Sequence, residues 1–292
     1  MPDAVRTPDD RFANLPDFPF AAHYREWEGL RLAHVDEGDG QPVVFFHGEP
    51  TWSFLWRKVI PPVRDAGFRC IAPDLPGFGR SDKPTDLGWY SYDRHTAAAG
   101  ALLEELDVRG ATFVVHDWGG PVGLRLAVEA PERCARLVIL DTGLFTGRQR
   151  MTEAWQAFRA FVERTEDLPV SMLVRNACHT EPGHAVAAAY DAPFPAPEYK
   201  AGARAFPLML PTDPGMDGAG AGRRVLEALR EDTRPTLMLW AEHDPVLPLE
   251  TGRRFAEAIG RPAPETIPAA SHFLQEDAGP DIGARIAAWL TG

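Results

Sequence analysis

The stretch Val114-Val115-His116-Asp117-Trp118-Gly119-Gly120 decides how this chain is read. An apolar strand runs out, an acidic residue follows at once, and a glycine pair opens a helix. At such a strand-to-helix junction, a sharp turn of the G-x-S-x-G kind lifts one side chain clear of the sheet as a nucleophile. Asp117 stands in that place, and Gly119 two residues later supplies the close turn. Val115 stands where the first glycine usually is. The plainer alternative is that Asp117 caps the following helix, since Asp is a common N-cap.

Working outward, residues 22–47 read as three strands joined by turns, ending in Val43-Val44-Phe45-Phe46. An alternation follows: helix over Trp52–Ala66, strand over Arg69–Ala72, helix over Tyr92–Leu106, strand over Thr112–His116, helix from Trp118, strand over Leu137–Leu140. The apolar runs are short and continuous rather than alternating, which suits strands covered on both faces. Antiparallel strands leading into βαβα units predict an α/β architecture with a mostly parallel, doubly wound sheet. From Gly143 the pattern turns helical, with the proline-rich turn Asp191–Pro197 and the Gly/Pro/Asp-dense stretch Pro211–Gly222. Alternation resumes at Thr236–Trp240, with a helix after Pro248, a short strand near Thr266 and a closing helix over Asp281–Leu290. The expected organisation is a core of residues 1–142 and 228–292 interrupted by a helical lid, 143–227. A lid supplies a dry, substrate-shaped cavity.

The rest of the constellation follows in the chain order this architecture uses, nucleophile, acid, histidine. Asp244 lies just past a strand in Leu239-Trp240-Ala241-Glu242-His243-Asp244, and His272 lies before the last helix in Ala270-Ser271-His272-Phe273. His116 and His243 flank acidic candidates but stand one residue off the register that points at Asp117. His272 is the better base. The loop His47-Gly48-Glu49-Pro50 can aim the Glu49 N–H, with that of Trp118, at a developing oxyanion. The alternative there is an ordinary Gly-Pro turn.

Composition removes other classes. Among 292 residues the formal charge is -12, the wrong sign for a nucleic-acid binder. The three cysteines are far apart and odd in number, so neither a disulfide framework nor a metal site is expected. No apolar run has the length of a membrane span, and the first residues lack a signal-peptide pattern. The expectation is a cytoplasmic monomer with no cofactor and no metal, acting on a small molecule.

His47–Ser53 (HGEPTWS), Asp74–Asp82 (DLPGFGRSD) and His116–Gly120 (HDWGG) in the core, with Tyr190–Pro195 (YDAPFP) and Tyr199–Pro207 (YKAGARAFP) in the lid, carry a resemblance. The chain resembles the haloalkane dehalogenases of the α/β-hydrolase superfamily over almost its whole length. The core motifs are shared with epoxide hydrolases, whereas the lid segments look like those of dehalogenases. The resemblance implies a covalent alkyl ester on Asp117, opened by water that His272 activates, with Asp244 orienting the imidazole. Products are a primary alcohol, halide and a proton. It implies Trp118 as first halide donor, since an indole N–H donates without competing as a base.

One subfamily takes its second donor from an Asn where this chain has Glu49, and an ionised Glu only accepts. The resemblance therefore points to a lid tryptophan, Trp155, with core packing as the alternative for that ring. Some relatives place the acid after the preceding strand, where Asp141 stands. Asp244 is favoured because Glu49 and the YDAPFP lid resemble the subfamily with the later acid. An epoxide hydrolase would need two lid tyrosines as donors, and the lid offers Tyr190 and Tyr199. A non-catalytic ligand receptor is the rival from another class.

Overall fold

The computed structural model describes residues 1–292. Eight strands form one sheet: β1 (His23–Trp27), β2 (Leu30–Glu37), β3 (Pro42–Phe46), β4 (Arg69–Pro73), β5 (Ala111–His116), β6 (Cys134–Leu140), β7 (Thr236–Ala241) and β8 (Glu265–Ile267). Their order is β8-β7-β6-β5-β3-β4-β2-β1. β1, β2 and β4 pair antiparallel, and every neighbour from β4 through β3 to β8 pairs parallel. All six residues of β5 are buried, as a strand covered on both faces requires. The predicted α/β architecture is the observed one.

The helices of the core are α1 (Ile60–Asp65), α2 (Tyr92–Glu105) and α3 (Gly119–Glu129). The lid stretch carries α4 (Glu153–Arg164), α5 (Val170–Asn176), α6 (His184–Asp191) and α7 (Ala201–Met209). After these come α8 (Ala219–Glu231), α9 (Leu249–Ala258) and α10 (Leu274–Thr291). α8 begins within the predicted lid stretch and packs on α3, while α1 packs on α10. Two elements differ from expectation. The helix predicted over Trp52–Ala66 is a 3-10 turn over Ser53–Lys58 followed by the short α1, where Pro61 and Pro62 cannot donate to a continuous ladder. The closing helix starts earlier than Asp281, at Leu274, and kinks at Ala278 just before Pro280.

The strand order positions the site. β4 and β5 lie on opposite sides of β3, so consecutive connections diverge at the carboxyl end of β3. In an open α/β sheet the crevice at such a switch point is where ligands bind. The loop after β3 carries His47–Pro50, and the ends of β5, β6, β7 and β8 are followed by Asp117, Asp141, Asp244 and His272.

Candidate active site

Asp117 sits between β5 and α3 with φ +48°, a conformation that strains a non-glycine residue by about 1–3 kcal/mol. The surroundings hold it there. Its N–H donates to the Asp141 carbonyl at 3.2 Å, and its own carbonyl accepts from Gly120 N at 2.9 Å and from the Thr142 hydroxyl at 2.5 Å. Only glycine fits beside it. A Cβ on Gly48 would strike the Asp117 carboxylate, and one on Gly119 would strike the Phe46 carbonyl. The carboxylate oxygen Oδ1 accepts from Glu49 N at 2.7 Å, and the Trp118 backbone beside it helps to keep the carboxylate charged. Of the two N–H groups expected to form an oxyanion hole, that of Glu49 is thus aimed at the nucleophile's own carboxyl.

His272 Nε2 lies 3.7 Å from Asp117 Oδ2, and its Nδ1 lies 2.8 Å from Asp244 Oδ2. The other oxygen of Asp244 accepts from Val246 N at 2.7 Å and Leu247 N at 2.9 Å. Burial works against charge on this imidazole, but the carboxylates of Asp244 and Asp117 override it and raise its pKa well above the ordinary value. Burial likewise pushes Asp117 and Asp244 upward, and the neighbouring His272 overrides it, leaving both below the usual carboxylate range.

The other histidines are otherwise engaged. His116 is fully buried and donates from Nε2 to the His272 carbonyl at 2.8 Å; burial lowers its pKa to about 4. His243 stacks on His179 away from the nucleophile. His47 accepts from Leu75 N on Nε2 at 3.0 Å, so Nδ1 carries its proton toward Gly48 O, also at 3.0 Å, and the loop after β3 is fixed in place.

Above these groups lies a cavity of about 650 Å³. Asp117, Trp118, Glu49 and His272 line its floor, and Trp155, Leu173 and Pro207 contribute from the helical stretch between β6 and β7. Trp52 and Trp240 donate their indole N–H to the carbonyls of Ala189 and Leu247, whereas Trp118 and Trp155 face the cavity with theirs uncommitted to any protein acceptor. Trp118 is fixed by stacking on Phe206 of α7, centroids 4.9 Å apart. Trp155 is in the first turn of α4, where Thr152 caps the helix by accepting from Trp155 N at 3.1 Å.

The comparisons agree with this geometry. A family model described as alpha/beta hydrolase fold matches residues 41–279. A haloalkane dehalogenase of Mycolicibacterium paratuberculosis (strain ATCC BAA-968 / K-10) is 44% identical, over 98% of this chain and 97% of the relative. One of Psychrobacter cryohalolentis is 41% identical over 95% of each. The chain belongs to the haloalkane dehalogenases. Among solved structures, a haloalkane dehalogenase from Paraglaciecola agarilytica NO2, described as tetrameric, superposes with a TM-score of 0.92 at 37% identity, covering 97% of each chain.

For a haloalkane dehalogenase the lid tyrosines are informative by where they are. Tyr190 is fully buried and donates its hydroxyl to Glu276 at 2.5 Å, and neither Tyr190 nor Tyr199 lines the cavity. The epoxide-hydrolase alternative, which needs both as donors over the nucleophile, has no support in this geometry.

The structure alters the reading of Glu49. Burial first, and the Asp117 charge second, raise its carboxyl well above the usual range, and its Oε1 is buried without a partner. This environment favours the neutral acid, which carries an O–H, rather than the ionised acceptor assumed from sequence. Sequence reasoning also missed Thr142, the hydroxyl that pins the Asp117 carbonyl. Its only signal is its position directly after a strand-end carboxylate. The Asp141, Asp244 and His272 cluster is the one grouping of metal-ligand types, and its 2.8 Å imidazole–carboxylate contact is that of a hydrogen-bonded pair.

Proposed function

We propose that this haloalkane dehalogenase hydrolyses haloalkanes in two steps on Asp117. In the first, a carboxylate oxygen attacks the halogen-bearing carbon in line, and the carbon–halogen electron pair leaves as halide. Trp118 and Trp155 are the proposed N–H donors to that halide. In the second, His272 takes a proton from water as the hydroxide adds to the ester carbonyl of Asp117. The oxyanion falls on the carboxyl that already faces Glu49 N, with the Trp118 N–H as the second proposed donor. Its collapse releases the alcohol, restores the carboxylate, and leaves the proton from water on His272 to pass to solvent. Asp244 holds the imidazole in the tautomer this requires.

His272 must be neutral to act as a base, and the resting site favours its charged form. Alkylation resolves the conflict, because the ester on Asp117 no longer carries one of the two charges that stabilise the imidazolium. The observation that carries the proposal is the Glu49 N–H held 2.7 Å from the Asp117 carboxyl itself, the atoms on which an ester mechanism develops charge. A single turnover in ¹⁸O-water tests it. The label is expected in the Asp117 carboxylate by peptide mass spectrometry, and label found only in the alcohol overturns it.

The reading extends to a lid role for residues 143–227 and to a cytoplasmic monomer. No helix is long and apolar enough to cross a membrane. Light scattering across a dilution series checks the monomer, and a stable tetramer would refute it. Cell fractionation checks the location.

A further inference from the structure

Asp141 ends β6 with a fully buried side chain that the two-step scheme does not use. One of its oxygens, one of Asp244 and a ring nitrogen of His272 all lie within 4.8 Å of one another. Two carboxylates so close in a dry interior cannot both ionise. The donors around them decide which one does. Asp244 receives two backbone N–H groups and the imidazole, whereas Asp141 receives only Ala241 N, at 2.9 Å, on Oδ1. The second oxygen of Asp141 is buried with no donor in reach. An ionised Asp141 would leave that oxygen unsatisfied, at a cost a protonated one avoids by donating.

We infer that Asp141 holds a proton and donates its O–H to Asp244, acting as a positioning residue for the carboxylate that orients His272. The charged and titratable groups facing it are Asp244 after β7, His272 after β8, and His116 and Asp117 at the end of β5. His116 is neutral, so His272 is the one cation available to either carboxyl. Burial and the charge of Asp244 drive Asp141 upward while Asp244 moves down, the same division of the proton. Asp141 is therefore not a second acid sharing the work of Asp244. It supplies a neutral donor that keeps the negative charge on the oxygen facing the imidazole.

The inference rests on the assignment of Asp117, His272 and Asp244, and its test separates the two. Full-length Asp141→Leu, Asp141→Asn and Asp244→Asn are alkylated with a bromoalkane, and ester hydrolysis is followed across pH. Asp141→Leu loses a hydrogen bond to a charged group and is expected to hydrolyse about ten- to a hundredfold more slowly. Asp141→Asn keeps both a donor and an acceptor, so it recovers to within about threefold of the parent with an unchanged pH midpoint. Asp244→Asn gives no such recovery. An Asp141→Asn as slow as Asp141→Leu, or with its midpoint shifted down by loss of a charge, overturns the inference. Should the Leu variant not fold, infrared difference spectra decide. The protonated-carboxyl absorption of the parent at neutral pH is expected to lose one component in Asp141→Asn and to keep that of Glu49, and an absorption unchanged by Asp141→Asn overturns the inference. Failure of the parent to alkylate on Asp117 would count instead against the mechanism.

Discussion

Asp117, Asp244 and His272 hang from strand ends in loops that hydrogen bonds tie back to the sheet. Trp155 stands on α4, a helix with only two buried residues, Trp155 and Val162. The first region is held by bonds such as Thr142 to the Asp117 carbonyl and His116 to the His272 carbonyl, so its atoms have one arrangement. The second packs on α7, and its one hydrogen bond to a neighbouring segment is from Arg159, which donates to the Leu210 carbonyl at 3.3 Å. The contrast separates two tasks. Bond making needs groups held to fractions of an ångström. Shaping a cavity for an apolar substrate needs only apolar surface and a few donors.

The contrast predicts that strand-end loops fail completely on substitution and the lid fails by degrees. Asp117→Ala is expected to drop halide release to background, a loss of about 10⁶-fold or more, because no other group can form the ester. Substantial release from the purified variant breaks the mechanism.

His272→Ala should still alkylate, since only the water step needs the base. Ester hydrolysis should slow by about 10²–10⁴-fold, so an adduct on Asp117 accumulates and is read by mass spectrometry. No adduct from a folded variant assigns His272 another role. The same group sets the pH response. Its folded pKa is raised by two carboxylates, and the base is active only when deprotonated, so hydrolysis rises with pH and then levels off. Esterification removes the Asp117 charge, so the midpoint in the alkyl-enzyme should lie below the His272 midpoint measured by NMR in the free enzyme. Equal midpoints break this coupling.

Smaller effects belong to the lid. Trp155→Phe should weaken bromide binding about ten- to a hundredfold, followed by quenching of tryptophan fluorescence, and slow carbon–halogen cleavage, whose transition state carries growing halide charge. If neither changes, Trp155 only packs, and the neutral Glu49 O–H is the next donor to test. Smallest, Tyr190→Phe should cost about 1–3 kcal/mol of stability by denaturant melt with ester hydrolysis unchanged. A Tyr190→Phe that hydrolyses as poorly as His272→Ala erases the contrast between the regions.

The sequence exposed the rigid region well and the adaptable one poorly. β5, Asp117 and Gly119 form a contiguous signal, because a buried strand must be an apolar run and a close backbone approach must be glycine. Asp244 and His272 followed from chain order and from the residues beside them. The choice of Asp244 over Asp141 rested on the resemblance, not on the residues themselves. It depends on which carboxylate collects the N–H groups of Val246 and Leu247, a matter of loop shape. Glu49 was misjudged for the same reason, since its proton depends on burial beside a charge 68 positions away in the chain. The helix predicted over Trp52–Ala66 failed locally, because apolar spacing was given more weight than Pro61-Pro62.

Glu276 stands one helical turn beyond His272, and three groups converge on it. Arg57 holds both oxygens, at 2.5 and 2.8 Å, Lys58 reaches one at 3.1 Å, and Tyr190 arrives from the lid. Arg57 and Glu276 are almost wholly shut off from water, with side chains 0% and 2% exposed. Removing one partner of such a pair strands a buried charge and costs about 3–5 kcal/mol, while replacing the whole set by well-packed apolar groups costs little or nothing. Inheritance therefore treats these residues as one character. Arg57 and Glu276 lie 219 positions apart, yet neither can drift alone, and a lineage that remodels this lid must carry Tyr190 along or rebuild the knot entire.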